Sequence, residues 1–132
     1  MPDQPQHEPQ HQPATRAITS GRAASGNSLA PALWASSVWQ STGMVDARRR
    51  ATGVRCDEFY SRYSNPTVRS FEDAVADLEG AEASLAFASG MGAISSVVLA
   101  LCSSGDHIVA QRNLYAASLA FLQGPCARFG ID

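Results

Sequence analysis

Residues 83–91, Ala-Ser-Leu-Ala-Phe-Ala-Ser-Gly-Met, form a short apolar run that breaks at Ser89-Gly90, and a second apolar run follows over residues 91–101. The first run has the length of a buried strand, and the second predicts a helix. A strand that turns at Ser-Gly into a helix aims several free backbone N–H groups at one point. The helix dipole adds partial positive charge there, so the turn is a candidate anion site with phosphate as the usual occupant. An ordinary strand–turn–helix, with Ser and Gly as turn and N-cap residues, is the alternative from this stretch alone.

The flanking pattern extends this unit in both directions. Upstream, Val68, Phe71, Val75 and Leu78 recur at helical spacing. That helix is expected to open at Thr67, after the turn marked by Asn65-Pro66, with Glu72 and Asp73 near its positive end and Gly80 as its stop. Downstream, Ser103-Ser104-Gly105-Asp106 reads as a turn and residues 107–111 as a strand. Residues 115–122 read as a helix ended by Gly124-Pro125, and residues 129–132 as the start of a third strand. Helix and strand alternate, which predicts an α/β fold with a mainly parallel sheet and crossover helices. A parallel sheet needs several strands covered on both faces, so the sheet written here is expected to be incomplete.

The N-terminal half lacks this regularity. Residues 1–28 are rich in Pro, Gln, Ser, Gly and His without apolar periodicity, and are expected to be a disordered tail. The tail has no apolar signal-peptide core, and Asp3 and Glu8 count against a transit peptide. His7 and His11 are read as solvated rather than metal-ligating. Residues 29–38 are apolar and read as an extended segment whose packing partner need not lie in this chain. Arg48-Arg49-Arg50 could hold a phosphate, but a solvated run is the default. In residues 59–67, Tyr60, Arg62 and Tyr63 crowd together, and in an extended segment Tyr60 and Arg62 share one face. An Arg fork beside a phenol suits phosphate or carboxylate. A surface loop with stacked aromatics is the alternative.

Composition narrows the chemistry. The net charge of −2 over 132 residues gives no reason to expect a nucleic-acid partner. No apolar run is long enough to span a membrane, and a cytoplasmic location is expected. Cys56, Cys102 and Cys126 show no paired spacing of a disulfide framework or zinc site, and no metal is expected. Cys102 lies in an apolar run and reads as a buried small hydrophobe. All 10 basic residues are Arg. With no Lys, no side chain here can form a Schiff base.

Several short motifs, in order, carry a specific resemblance. They are Tyr60-Ser61-Arg62-Tyr63-Ser64-Asn65-Pro66-Thr67, Leu78-Glu79-Gly80-Ala81-Glu82, Phe87-Ala88-Ser89-Gly90-Met91, Gly105-Asp106-His107-Ile108-Val109, and Leu114-Tyr115. Over residues 29–132 the chain resembles the N-terminal part of the Cys/Met-metabolism pyridoxal-phosphate enzymes: cystathionine γ-synthase, the cystathionine lyases, methionine γ-lyase and the O-acyl-homoserine sulfhydrylases. The resemblance implies the start of a fold-type I pyridoxal-phosphate large domain over residues 67–132. Residues 29–66 would be an arm that contacts a neighbouring subunit in a homo-oligomer, a dimer of dimers.

The resemblance also implies site roles. Ser89, Gly90 and Met91 match the cup for the phosphate of pyridoxal 5'-phosphate. Tyr60 and Arg62 match a pair that crosses the interface to the neighbour's cofactor phosphate, and that Tyr also helps proton transfer. Tyr115 matches the aromatic that stacks on the cofactor ring. Tyr60 and Tyr115 are therefore the candidate catalytic residues. The implied chemistry is β- or γ-elimination or γ-replacement on sulfur-containing or O-acylated amino acids. Where the family has two Gly and a Thr after the stacking Tyr, this chain has Ala116-Ala117-Ser118. The family's Schiff-base Lys, pyridinium Asp and substrate-binding Arg have no counterpart here, so the chain alone is expected to be inactive. It would be either a fragment of such an enzyme or a non-catalytic remnant or dimerising arm. A phosphate-binding domain of another α/β family is the remaining alternative.

Overall fold

The computed structural model describes residues 11–22, 26, 28–53, 56 and 58–132. His7 and the first ten residues of the expected tail lie outside the described residues. The chain divides into two compact units, Met1–Leu85 and Ala86–Asp132.

The first unit is assembled on helix α3, Pro66–Glu79. Asn65 caps it, its side-chain oxygen accepting from the Thr67 N–H at 2.8 Å, and Pro66 fits the first helical position with its preset φ. The helix thus opens one residue before the expected Thr67. Gly80 closes it in the left-handed conformation at φ 66°, as its role as the stop requires. Glu72 and Asp73 lie mid-helix rather than at the positive end, where Arg69 pairs with them at 3.9 and 3.5 Å.

Part of the stretch expected to be a disordered tail is ordered. Pro13–Thr19 forms helix α1, which packs on α3. The Arg16 fork donates to both oxygens of Asp77 at 3.0 and 2.9 Å, and the Ser20 hydroxyl donates to the same carboxylate. Gly21, at φ 74°, lies so close to α3 that a Cβ there would sit 2.0 Å from the Ser70 carbonyl oxygen. This docking is polar and steric, so apolar periodicity carries no sign of it.

Residues 32–39 run without regular secondary structure save a bridge at Val38, and Ala32 and Trp34 lie beside the start of α3. Thr67 Oγ1 accepts from the Trp34 N–H at 2.8 Å and donates to the Ala32 carbonyl at 3.1 Å, while Asn65 Nδ2 donates to the Trp34 carbonyl at 3.0 Å. Val38 and Tyr60 then form an isolated antiparallel bridge. Met44–Thr52 is helix α2, where Asp46 gathers Arg49 at 2.7 Å and Arg50 at 2.9 Å. Two of the three arginines read as a solvated run are therefore ion-paired. The apolar stripe of α3 does not form a core within this unit. Phe71 is 62% exposed and Val68 and Leu78 are also exposed, while Pro66, Ser70, Glu72 and Ala76 are buried.

The second unit contains helix α4, Gly90–Leu101, and helix α5, Ala116–Phe121. Gly124-Pro125 does not end the second helical stretch. The backbone continues through a widened turn over Leu122–Cys126 that contains Pro125. Proline lacks an N–H and crowds the carbonyl four residues back, and widening relieves both. Cys126, 1% exposed, is the buried cysteine, while Cys102 is half-buried.

The expected parallel sheet is not formed among the described residues. Residues 84–88 and 107–111 form no strand ladder. One parallel contact is present between the second and third predicted strands. The Asp132 N–H donates to the Asp106 carbonyl at 2.9 Å and the Asp132 carbonyl accepts from the Ile108 N–H at 2.5 Å. These bonds straddle His107 in the manner of parallel pairing. A ladder needs successive residues on both sides, and only Asp132 of the third segment reaches His107. The two turns beside this contact approach closely. Gly130, at φ 72°, would place a Cβ 2.5 Å from Ser104 Oγ.

Candidate functional site

The start of α4 has the chemistry expected of an anion site. Ser89 caps the helix in extended conformation, and its Oγ accepts from the Gly92 N–H at 3.0 Å. The Ala93 N–H donates to the Ser89 carbonyl at 3.0 Å. Gly90 and Met91 lie ahead of these bonds, and their N–H groups have no intrahelical acceptor. The Ser89 hydroxyl proton also remains available, since its oxygen is the acceptor toward Gly92. Two free N–H groups, one hydroxyl and the positive helix end form a donor set that fits a phosphate. A Cβ on Gly90 would meet nothing within 4 Å, so no close backbone approach is what places glycine there. Gly92 has a different role. A Cβ there would lie 3.2 Å from Ser89 Oγ, crowding the cap.

Tyr115 stands at the N-cap of α5 and is 71% exposed as a residue, and its carbonyl accepts from the Leu119 N–H at 3.1 Å. A tyrosine that exposed is available for stacking. Helices α4 and α5 pack together, and the Ser118 hydroxyl donates to Met91 Sδ at 3.4 Å. The structure thus ties the Tyr115-bearing helix to the helix that carries Ser89, Gly90 and Met91. Sequence reasoning treated Ser118 only as a departure from the family pattern. Its signal was a small hydroxyl residue placed three positions into a helix.

Tyr60 and Arg62 belong to the first unit. Their segment is not extended after Tyr60. It turns, with the Tyr63 N–H donating to the Tyr60 carbonyl at 2.9 Å. The strand alternation expected to put Tyr60 and Arg62 on one face is therefore absent, yet the turn brings them together. The Arg62 guanidinium carbon lies 5.1 Å from the Tyr60 ring centroid and 5.5 Å from that of Tyr63. The turn thus gathers Tyr60, Arg62 and Tyr63 into one loop in which the rings and the guanidinium are in contact.

Strong electrostatic perturbation lies outside these groups. The Asp46 carboxyl is held far below its ordinary range by hydrogen bonds from Arg50 and Arg49, and the Arg50 guanidinium is correspondingly raised. Asp77 is lowered by the Ser20 hydroxyl and then by Arg16. Among the described residues no group of His, Cys, Asp and Glu is arranged to hold a metal ion, and no helix is long and apolar enough to cross a membrane.

Comparison with known proteins gives a consistent result. The family model described as Cys/Met metabolism PLP-dependent enzyme matches residues 14–132. O-succinylhomoserine sulfhydrylase of Pseudomonas aeruginosa is 44% identical over 101 residues, spanning 76% of this chain and 25% of that protein. L-methionine gamma-lyase of Pseudomonas putida is 38% identical over 120 residues, spanning 89% of this chain and 30% of the relative. The crystal structure of metB from Corynebacterium glutamicum superposes with a TM-score of 0.77 at 26% identity, over 92% of this chain and 30% of that one. The metY chain of Campylobacter jejuni, whose structure contains N'-pyridoxyl-lysine-5'-monophosphate, superposes with a TM-score of 0.80 at 24% identity, a likeness of fold. The present chain thus spans 25% and 30% of the two curated relatives' lengths.

Proposed function

We propose, from the premise that this chain belongs to the Cys/Met-metabolism pyridoxal-phosphate-dependent enzyme family, that it forms the cofactor-holding N-terminal part of an enzyme of sulfur amino-acid metabolism. The observation that carries this reading is the pair of unpartnered N–H groups at Gly90 and Met91 beside the Ser89 hydroxyl. They would hold the phosphate of pyridoxal 5'-phosphate, and the ring of the exposed Tyr115 would stack on the cofactor's pyridine. The cofactor, when bound, supplies an electron sink for the α-carbon of an amino-acid substrate.

Arg62 would add positive charge and a planar fork toward a phosphate in a neighbouring subunit. The Tyr60 phenol beside it would hold or move a proton at its Oη. The substrate class is a sulfur-containing or O-acylated amino acid, undergoing elimination or replacement at the β- or γ-carbon. Residues 29–66 would act as an arm that builds a homo-oligomer, a dimer of dimers, and residues 67–132 as the start of the cofactor domain with its parallel sheet. The setting would be the cytoplasm.

A second reading takes the Gly90 and Met91 N–H groups and the Ser89 hydroxyl as a phosphate site without catalysis. The chain would bind the phosphate without turnover, or act as a dimerising arm. The first reading and phosphate binding without turnover share the phosphate cup, which titration with inorganic phosphate tests directly. The amide resonances of Gly90 and Met91 are expected to move together and saturate. Ser89→Gly retains much of the N-cap preference but removes the hydroxyl donor, so it is expected to weaken phosphate while α4 persists. Unmoved Gly90 and Met91 amides would overturn the assignment of the cup.

A further inference from the structure

We infer that Tyr63 is a positioning residue for Arg62, holding its guanidinium by a ring contact that leaves the charge and all N–H donors free for a phosphate. The inference rests on the phosphate-binding role proposed for Arg62.

Two kinds of contact to arginine are found among the described residues. Arg16, Arg49, Arg50 and Arg69 are held by carboxylates at 2.9, 2.7, 2.9 and 3.5 Å. A carboxylate fixes a guanidinium well but neutralises it and occupies its donors. Arg62 has no carboxylate partner among the described residues. Its guanidinium carbon lies 5.1 Å from the Tyr60 centroid and 5.5 Å from the Tyr63 centroid, both within cation–π range. Ring faces attract the cation through their quadrupole and consume no N–H donor. An arginine that must stay open to an anion gains orientation this way without losing capacity.

The rings are themselves held. Tyr60 and Tyr63 meet edge to face at 6.0 Å and 69°, and Phe59 stacks on Tyr63 at 6.2 Å. The Tyr63 N–H bond to the Tyr60 carbonyl at 2.9 Å closes the turn that brings both rings beside Arg62. Tyr60 is paired with Val38 across the isolated bridge. Tyr63 is 57% exposed, so it contributes little to a packed core, and its contacts are with Phe59, Tyr60 and Arg62. A residue with that exposure and those neighbours has the surroundings of an orienting side chain.

The test compares Tyr63→Leu with Tyr63→Phe in the full chain. Phe keeps the π face and loses only the hydroxyl, whereas Leu keeps bulk and loses the π face. The first readout is the Arg62 Nε–H resonance in a proton–nitrogen correlation spectrum, without phosphate. A guanidinium against ring faces is ring-current shifted upfield. That shift should persist in Tyr63→Phe and shrink in Tyr63→Leu. The second readout is the apparent affinity for inorganic phosphate followed at the same resonance. Tyr63→Leu should weaken it by roughly two- to fivefold, the factor expected for an exposed cation–π contact, and Tyr63→Phe should restore it.

An Arg62 shift that is unchanged in Tyr63→Leu overturns the inference, whatever phosphate does. Equal phosphate affinity in wild type and Tyr63→Leu also overturns it. A wild-type Arg62 that carries the ring-current shift yet ignores phosphate overturns the underlying phosphate role, and the retained shift tells this failure from the first.

Discussion

The Ser118 hydroxyl donates to the thioether of Met91 at 3.4 Å, joining the first turn of α5 to the first turn of α4. Ser118 is 4% exposed. Tyr115 stands one turn before Ser118, and Met91 carries one of the two free N–H groups of the candidate phosphate cup. A single buried contact thus relates the candidate ring-stacking residue to the candidate phosphate donors. Removing the hydroxyl in Ser118→Ala leaves only a weak sulfur acceptor unpaired, so a loss of about 0.5–1.5 kcal/mol is expected. Ser118→Thr, which keeps the hydroxyl, should recover part of it. Urea unfolding of the three proteins measures this, and equal midpoints for Ser118→Ala and wild type would count against the contact.

Gly21 sets a second expectation. Its φ of 74° and the 2.0 Å approach of a built Cβ to the Ser70 carbonyl leave no room for any side chain. Backbone oxygen cannot step aside as a flexible side chain would. Gly21→Ala should therefore release α1 from α3 at a cost of roughly 2 kcal/mol or more. Hydrogen exchange read along the chain should show faster exchange over residues 13–21 with the middle of α3 still protected. Unchanged protection over residues 13–21 would refute the docking.

The Asp77 carboxylate gives this same docking a defined pH response. The hydrogen bond from Ser20, and next Arg16, lower its pKa below the ordinary 3.8. A group whose folded pKa is depressed contributes stability that is present above the unfolded value and lost as pH falls through the folded one. Docking of α1 should hold at pH 5, begin to weaken below 3.8, and disappear as Asp77 protonates. Asp77→Asn should show weaker docking at neutral pH and no such acid transition. Carboxyl carbon shifts of Asp77 follow the titration directly, and a midpoint at or above 3.8 would contradict the contact.

Local chemistry made much of the site legible from the residues alone. Ser89 and Gly90 marked a helix start with open N–H groups, because capping and helix termini are properties of adjacent residues. Asn65, Pro66 and Gly80 bounded α3 for the same reason. The motifs around Tyr60, Ser89 and Tyr115 carried the family, which the match over residues 14–132 shows. Contacts between residues distant in sequence were a different matter. The Arg16–Asp77 pair, the seat of Gly21 on Ser70 and the Ser118–Met91 bond each join segments that no period or short motif relates. The gathering of Arg62 between two rings depended on a turn where alternation predicted a strand.

The sequence by itself determined three of the helices, α3, α4 and α5, the caps at which α3 and α4 begin, and which backbone donors stay free, whereas α1 and α2 lay in stretches that showed no helical period. Those properties follow from propensity, capping and backbone sterics within a few residues. Only the tertiary structure decided which face of α3 is buried, how α1 is fastened, and how far the predicted sheet is paired. Burial and pairing depend on what surface lies opposite. Within these units Asp77 and Ser70 face α1, while Phe71 remains exposed and a single parallel contact at His107 stands where a ladder was expected.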